Sequence, residues 1–130
     1  AIVRAMLGNA PEAGIRGRIV MIGSQQGKEG MPLGAAYSAS KAALHSFAKS
    51  LGRELVRDGI LVNAVTPTAI ETRMAGELTP SRRADITARV PMGRFGTAQE
   101  VAEMTAFLCS RACTFQTAAL FDLSGGRSQY

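Results

Sequence analysis

The stretch Gly17-Arg18-Ile19-Val20-Met21-Ile22-Gly23-Ser24 holds four consecutive large apolar residues, Ile19 to Ile22. A strand with one wet face alternates apolar and polar residues. An unbroken apolar run instead suits a strand buried on both faces of a parallel sheet. Parallel neighbours need long crossovers, usually helical, so the sequence on either side must supply helices. It does. Upstream, Ile2, Val3, Met6 and Leu7 fall at helical spacing, and Pro11 and Gly14 end that pattern. Downstream, Gln25 to Leu33 contains Gly27, Gly30 and Pro32 and reads as a loop.

The stretch from about Ala35 to Asp58 reads as a helix with an apolar stripe of Leu44, Phe47, Ala48, Leu51 and Leu55. His45, Lys49, Arg53 and Arg57 make a second, polar stripe at i,i+4 spacing, in which His45 is expected to be solvated or at an interface. Gly59 supplies the left-handed cap. Ile60 to Val65 is a second buried strand, closed by Thr66-Pro67. Asn63 within it is expected to satisfy backbone groups. Residues 68–97 are mixed, with one or two short helices between Glu77 and Arg89. Thr97 with Glu100 three residues on is a capping box, opening a helix to about Ser110. Ala118 to Leu123 is the last strand, followed by Ser124-Gly125-Gly126 and a short polar tail. The fold class is α/β with a parallel sheet. Three such strands leave one buried-type strand at an open edge, which is the pattern of the C-terminal part of a doubly wound, Rossmann-type sheet.

Composition narrows the function classes. The 130 residues are 46% hydrophobic and 19% charged, which is globular. No apolar run is long enough to span a membrane. Ala1 to Leu7 lacks the apolar core of a secretory signal, and an opening on Ala rather than Met raises the expectation of a fragment or processed product. The formal charge is +5, but the basic residues are scattered, with Arg82-Arg83 the densest pair. With only two Tyr, five Phe and no Trp, a nucleic-acid groove with stacking rings is not expected. Cys109 and Cys113 make no disulfide framework and lack the companions of a metal site, so no metal is expected and a reducing, cytoplasmic setting is.

Three residues carry possible chemistry. Ser24 ends the first strand, at the carboxyl edge of the sheet where ligands bind in open α/β folds. Tyr37 follows thirteen residues later, and Lys41 shares its helix face at i,i+4. A phenol titrates near ~10 when unperturbed, and a nearby cation favours its ionised form. Ser24 can hold a carbonyl or alcohol oxygen by hydrogen bond beside the phenol. The pattern suits proton transfer coupled to hydride transfer. Gly23, Gly27 and Gly30 follow the same strand and do not form a phosphate cradle.

Tyr37-Ser38-Ala39-Ser40-Lys41-Ala42-Ala43 resembles the active-site signature of the short-chain dehydrogenase/reductase family. Ile22-Gly23-Ser24 resembles its substrate-orienting serine strand, Val62-Asn63-Ala64-Val65-Thr66-Pro67 the strand leading to its nicotinamide-side loop, and Asp122-Leu123-Ser124-Gly125-Gly126 its C-terminal strand. The motifs run in order through the whole chain, and 3-oxoacyl-carrier-protein reductases are nearest in form. The resemblance implies an NAD- or NADP-dependent oxidoreductase that interconverts a carbonyl and a secondary alcohol. Tyr37 is then the acid–base, Lys41 lowers its pKa and binds the nicotinamide ribose, and Ser24 orients the substrate oxygen. Pro67, Ile70 and Thr72 map onto the cofactor loop, and Met74 with residues 75–90 onto a substrate lid. The Ala-rich helix implies a homodimer or homotetramer.

The chain departs from the family in three ways. Pro67-Thr68 stands where the family usually has Pro-Gly. The glycine-rich pyrophosphate turn and the Asn-Asn-Ala-Gly strand are absent from these residues. Residues 1–130 are therefore expected to be the C-terminal catalytic half of one Rossmann-type domain. The alternative is a truncated or split, non-catalytic interaction module that keeps the oligomer helices.

Overall fold

The computed structural model describes residues 1–128, so Gln129 and Tyr130 of the polar tail lie outside the described residues. Three strands form a parallel sheet in the order β1-β2-β5: β1 is Gly17–Ile22, β2 Ile60–Pro67 and β5 Leu120–Leu123. The register runs from Gly17 opposite Ile60 to Ile22 opposite Val65, and from Ala64 opposite Leu120 to Pro67 opposite Leu123. The central strand β2 is buried along Ile60 to Thr66.

Alternation along β2 divides the core into two layers. Ile60, Val62 and Ala64 pack on Ala48, with Leu51 and Leu55 of the long helix α3 (Ala35–Leu55) and Val3 and Met6 of α1 (Ile2–Leu7). Leu61 and Val65 face the other way onto Leu108, Val101 and Met104 of α6 (Ala98–Cys109). Helices on both faces are what a continuous apolar run requires.

Several expectations shift. β2 extends through Thr66-Pro67 because β5 pairs with it there. β5 begins at Leu120, since Ala118 has φ 58 and only its N–H, bonded to the Val62 carbonyl at 2.7 Å, joins the sheet. A short helix, α2 (Gln26–Glu29), interrupts the expected loop after Ser24. Residues 68–97 hold α4 (Arg73–Gly76), α5 (Pro80–Thr87) and a two-stranded parallel pair, β3 (Ile70–Glu71) with β4 (Gly96–Thr97). The helix α6 ends at Cys109, and Cys113 beyond it is buried among the residues packed on α6.

Two helix signals are realised as written in the sequence. Gly59 adopts φ 75, the left-handed turn that passes α3 and its 3-10 extension (Val56–Asp58) into β2. Thr97 accepts from the Glu100 N–H at 3.1 Å while Glu100 accepts from the Thr97 N–H at 2.7 Å. Phe47 departs from its expected place in the buried stripe and is 57% exposed. Among the described residues no helix is long and apolar enough to cross a membrane.

Candidate active site

The site is built at the carboxyl end of β1. The Gly23 N–H continues the ladder to the Val65 carbonyl at 2.8 Å, and the Gln25 N–H reaches the Pro67 carbonyl at 2.9 Å. Ser24 is thereby fixed between two bonds to β2, and its side chain is buried. Its Oγ accepts from the Gln26 N–H at 3.2 Å, which starts α2. The hydroxyl proton is left to donate elsewhere.

The loop then returns to α3, whose first turn carries Tyr37, 46% exposed. Lys41 lies one turn on. Its Nζ donates to the Ile22 carbonyl at 3.0 Å and stands 5.7 Å from the Tyr37 ring centroid. The bond ties the helix that carries the phenol to the strand that carries Ser24. An ammonium has three donors, so Lys41 has capacity beyond this bond. Close by in sequence, Ser38 Oγ and Gln25 Oε1 are buried without a hydrogen-bond partner in the structure.

The three residues expected in the cofactor loop, Pro67, Ile70 and Thr72, separate. Pro67 ends β2, beside Ser24 through Gln25. Ile70 lies in β3 and lines a cavity of about 300 Å³ with Val90, Met92, Val101 and Leu123. Ser24, Tyr37 and Lys41 do not line that cavity. Thr72 caps α4, accepting from the Ala75 N–H at 3.4 Å. Thr68 uses its extra side chain, since Arg127 donates to Thr68 Oγ1 at 3.2 Å and so ties the residues after β5 to the loop.

Asn63 does what its buried position suggested. Its Nδ2 donates to the Gln116 carbonyl at 2.8 Å, and its Oδ1 accepts from the Ala119 N–H at 3.2 Å. His45 does not. It is 4% exposed, and its Nε2 accepts from the Ser24 N–H at 3.3 Å. Burial holds its pKa below the ordinary imidazole value, with Lys49, Lys28 and Lys41 pushing the same way. The i,i+4 stripe with Lys49, Arg53 and Arg57 concealed this, because α2 folds back over only the first part of α3. A second contact left no motif: Lys28 of α2 pairs with Asp122 of β5 at 3.6 Å.

The chain matches the family model described as enoyl-(acyl carrier protein) reductase over residues 1–128. It is 46% identical over 114 residues to a 2-dehydro-3-deoxy-L-rhamnonate dehydrogenase (NAD(+)) of Sphingomonas sp. (strain SKA58), covering 88% of this chain and 46% of the relative. It is 44% identical over 126 residues to the 3-oxoacyl-(acyl-carrier-protein) reductase of Escherichia coli (strain K12), covering 97% of this chain and 50% of the relative. Among solved structures it is similar to an actinorhodin polyketide ketoreductase variant with NADPH. That superposition has TM-score 0.82 at 43% identity, over 91% of this chain and 49% of the other. The chain spans about half the length of each of these proteins.

Proposed function

The chain belongs to the short-chain dehydrogenase/reductase family, among members similar to 3-oxoacyl-carrier-protein reductase, and from that premise we propose that it is the C-terminal catalytic half of an NAD- or NADP-dependent oxidoreductase. The full-length protein interconverts a small-molecule carbonyl and a secondary alcohol. The observation that carries this reading is the 3.0 Å bond from Lys41 to the Ile22 carbonyl, two residues before Ser24 and on the helix face of Tyr37.

The donor set suits the nicotinamide–ribose end of the cofactor. It combines an exposed phenol with an ammonium that has donors beyond its backbone bond. The pyrophosphate turn falls to the other half of the domain. Pro67, Ile70 and Thr72 are assigned to the nicotinamide side, Pro67 through its position beside Ser24. A nicotinamide held there would supply the hydride chemistry of the carbonyl–alcohol interconversion.

The Ser24 hydroxyl donates to the substrate oxygen and sets its direction toward Tyr37. The Tyr37 hydroxyl gives its proton to that oxygen in reduction, and the Tyr37 phenolate takes the alcohol's proton in oxidation. The Lys41 charge, one turn along α3, stabilises the phenolate left behind. Lys41 also holds the ribose. Homodimer or homotetramer formation is proposed through the exposed face of α3, where Ala36, Ala39, Ala43 and Phe47 follow one another along one stripe. The free Cys109 and Cys113 suit a cytoplasmic setting.

The test is turnover of NADH and NADPH by the full-length protein with a panel of 3-oxoacyl thioesters, ketoses and keto acids. Carbonyl-dependent oxidation of either cofactor is expected. Its absence across the panel, with the protein folded, would overturn the reading.

A further inference from the structure

We propose that His45 is a positioning residue for Ser24, its neutral imidazole accepting the Ser24 backbone N–H and so fixing the serine at the end of β1. The proposal rests on the assignment of Ser24 as the residue that orients the substrate oxygen.

The Ser24 N–H points away from the β2 ladder, which takes the N–H groups of Gly23 and Gln25 on either side. Left without a partner at this buried position it would be costly, and the 3.3 Å bond to His45 Nε2 satisfies it. Because Nε2 accepts, the neutral ring carries its proton on Nδ1. The chain around Ser24 is also shaped to admit the ring. A Cβ at Gly23 would lie 2.4 Å from His45 Nε2, and one at Gly27 would lie 2.7 Å from its Cε1. These two glycines, which cradle no phosphate, thus make room for the imidazole on both sides of Ser24.

The contact exists only while the ring is neutral. A protonated imidazole donates from both nitrogens and cannot accept the Ser24 N–H. The charges facing it are Lys28 of α2 and Lys41 and Lys49 of α3. On the surrounding elements, Asp122 of β5 is paired with Lys28, and Glu29 of α2 is bonded to Gln25. The neighbouring parts of β1 and β2, Gly23 and Val65, bring no ionisable side chain. Burial first, and then the charges of Lys49, Lys28 and Lys41, keep the ring neutral, so its protonation falls below the ordinary imidazole range. Acid that protonates the ring then detaches Ser24 from its support.

The test uses the full-length protein with His45→Leu, His45→Gln and Ser24→Ala, each checked for folding by circular dichroism. Leu removes the acceptor, whereas Gln offers a neutral acceptor that does not titrate. His45→Leu is expected to lower kcat/KM by about 10- to 100-fold. His45→Gln is expected to retain most activity at neutral pH and to lose an acid limb present in the wild-type kcat/KM profile. By NMR, the imidazole signal missing from His45→Gln is expected to titrate below the ordinary value. Wild-type kcat/KM in His45→Leu, with Ser24→Ala impaired, would overturn the proposal and leave the site assignment standing. An unchanged acid limb in His45→Gln would also overturn it. Wild-type activity in Ser24→Ala would overturn the site assignment itself, and the positioning role with it. If Leu prevents folding, the Gln profile and the NMR titration decide.

Discussion

At the scale of single residues, buried polar groups do most of the specifying. Asn63 closes the gap between β2 and the segment before β5 with both ends of its amide. Asn63→Leu keeps the volume roughly and strands a carbonyl and an N–H, which should cost about 2–4 kcal/mol. Urea denaturation checks this, and an unchanged midpoint would contradict it. Asn63 was legible in the sequence because a polar residue inside an apolar strand has few other roles. Helical spacing put Tyr37 and Lys41 on one face and the strand end put Ser24 at the sheet edge, whereas their joint role is what the family resemblance implies. His45 was not. Spacing alone places it with Lys49, and only the return of the chain through Gly27 removes it from solvent.

At the scale of elements, local signals set the ends of helices and packing sets their faces. The capping box of α6 satisfies two N–H groups at once, so Thr97→Ala should cost about 1 kcal/mol, read as a lower midpoint in urea. Glu100 in that box is held at about 2, foremost by its bond to Arg94, at 2.6 Å, and then by the Thr97 backbone. Its carboxylate is favoured in the folded state, so its contribution is present above the ordinary value of 4.5. That contribution fades as pH falls toward about 2. Glu100→Gln should flatten stability over that range, and an identical acid profile would refute the assignment. Helix α3 shows the limit of pattern reading. Its stripe predicts Phe47 inward, yet Phe47 is exposed among small residues. Phe47→Glu should weaken self-association, seen as a smaller species in sedimentation. An unchanged species would remove that face as the interface. The four-residue helix α2 had no sequence signal, because glycines flank its core and its place is set by Ser24 and Gln25.

At the scale of the whole molecule, the sheet positions the proposed site. The α/β class and the parallel sheet followed from three apolar runs separated by helices, whereas the central place of β2 comes from the structure. The pair β3–β4 did not, since two-residue strands carry no periodicity. The strand β1 pairs with β2 alone among the described residues, which agrees with the proposal that this chain is one half of a doubly wound domain. Since the pyrophosphate turn is not in these 130 residues, NADH or NADPH should raise the melting temperature of the full-length protein and not of this chain alone. A shift in the isolated chain would contradict that division. The central claim is that Tyr37 moves the proton while a nicotinamide exchanges hydride. It is tested most directly by carbonyl-dependent NADH or NADPH oxidation in full-length wild type and Tyr37→Phe, with cofactor binding measured alongside. The account predicts intact binding and turnover lowered by about a hundred- to ten-thousand-fold. Near-wild-type turnover in Tyr37→Phe would contradict it.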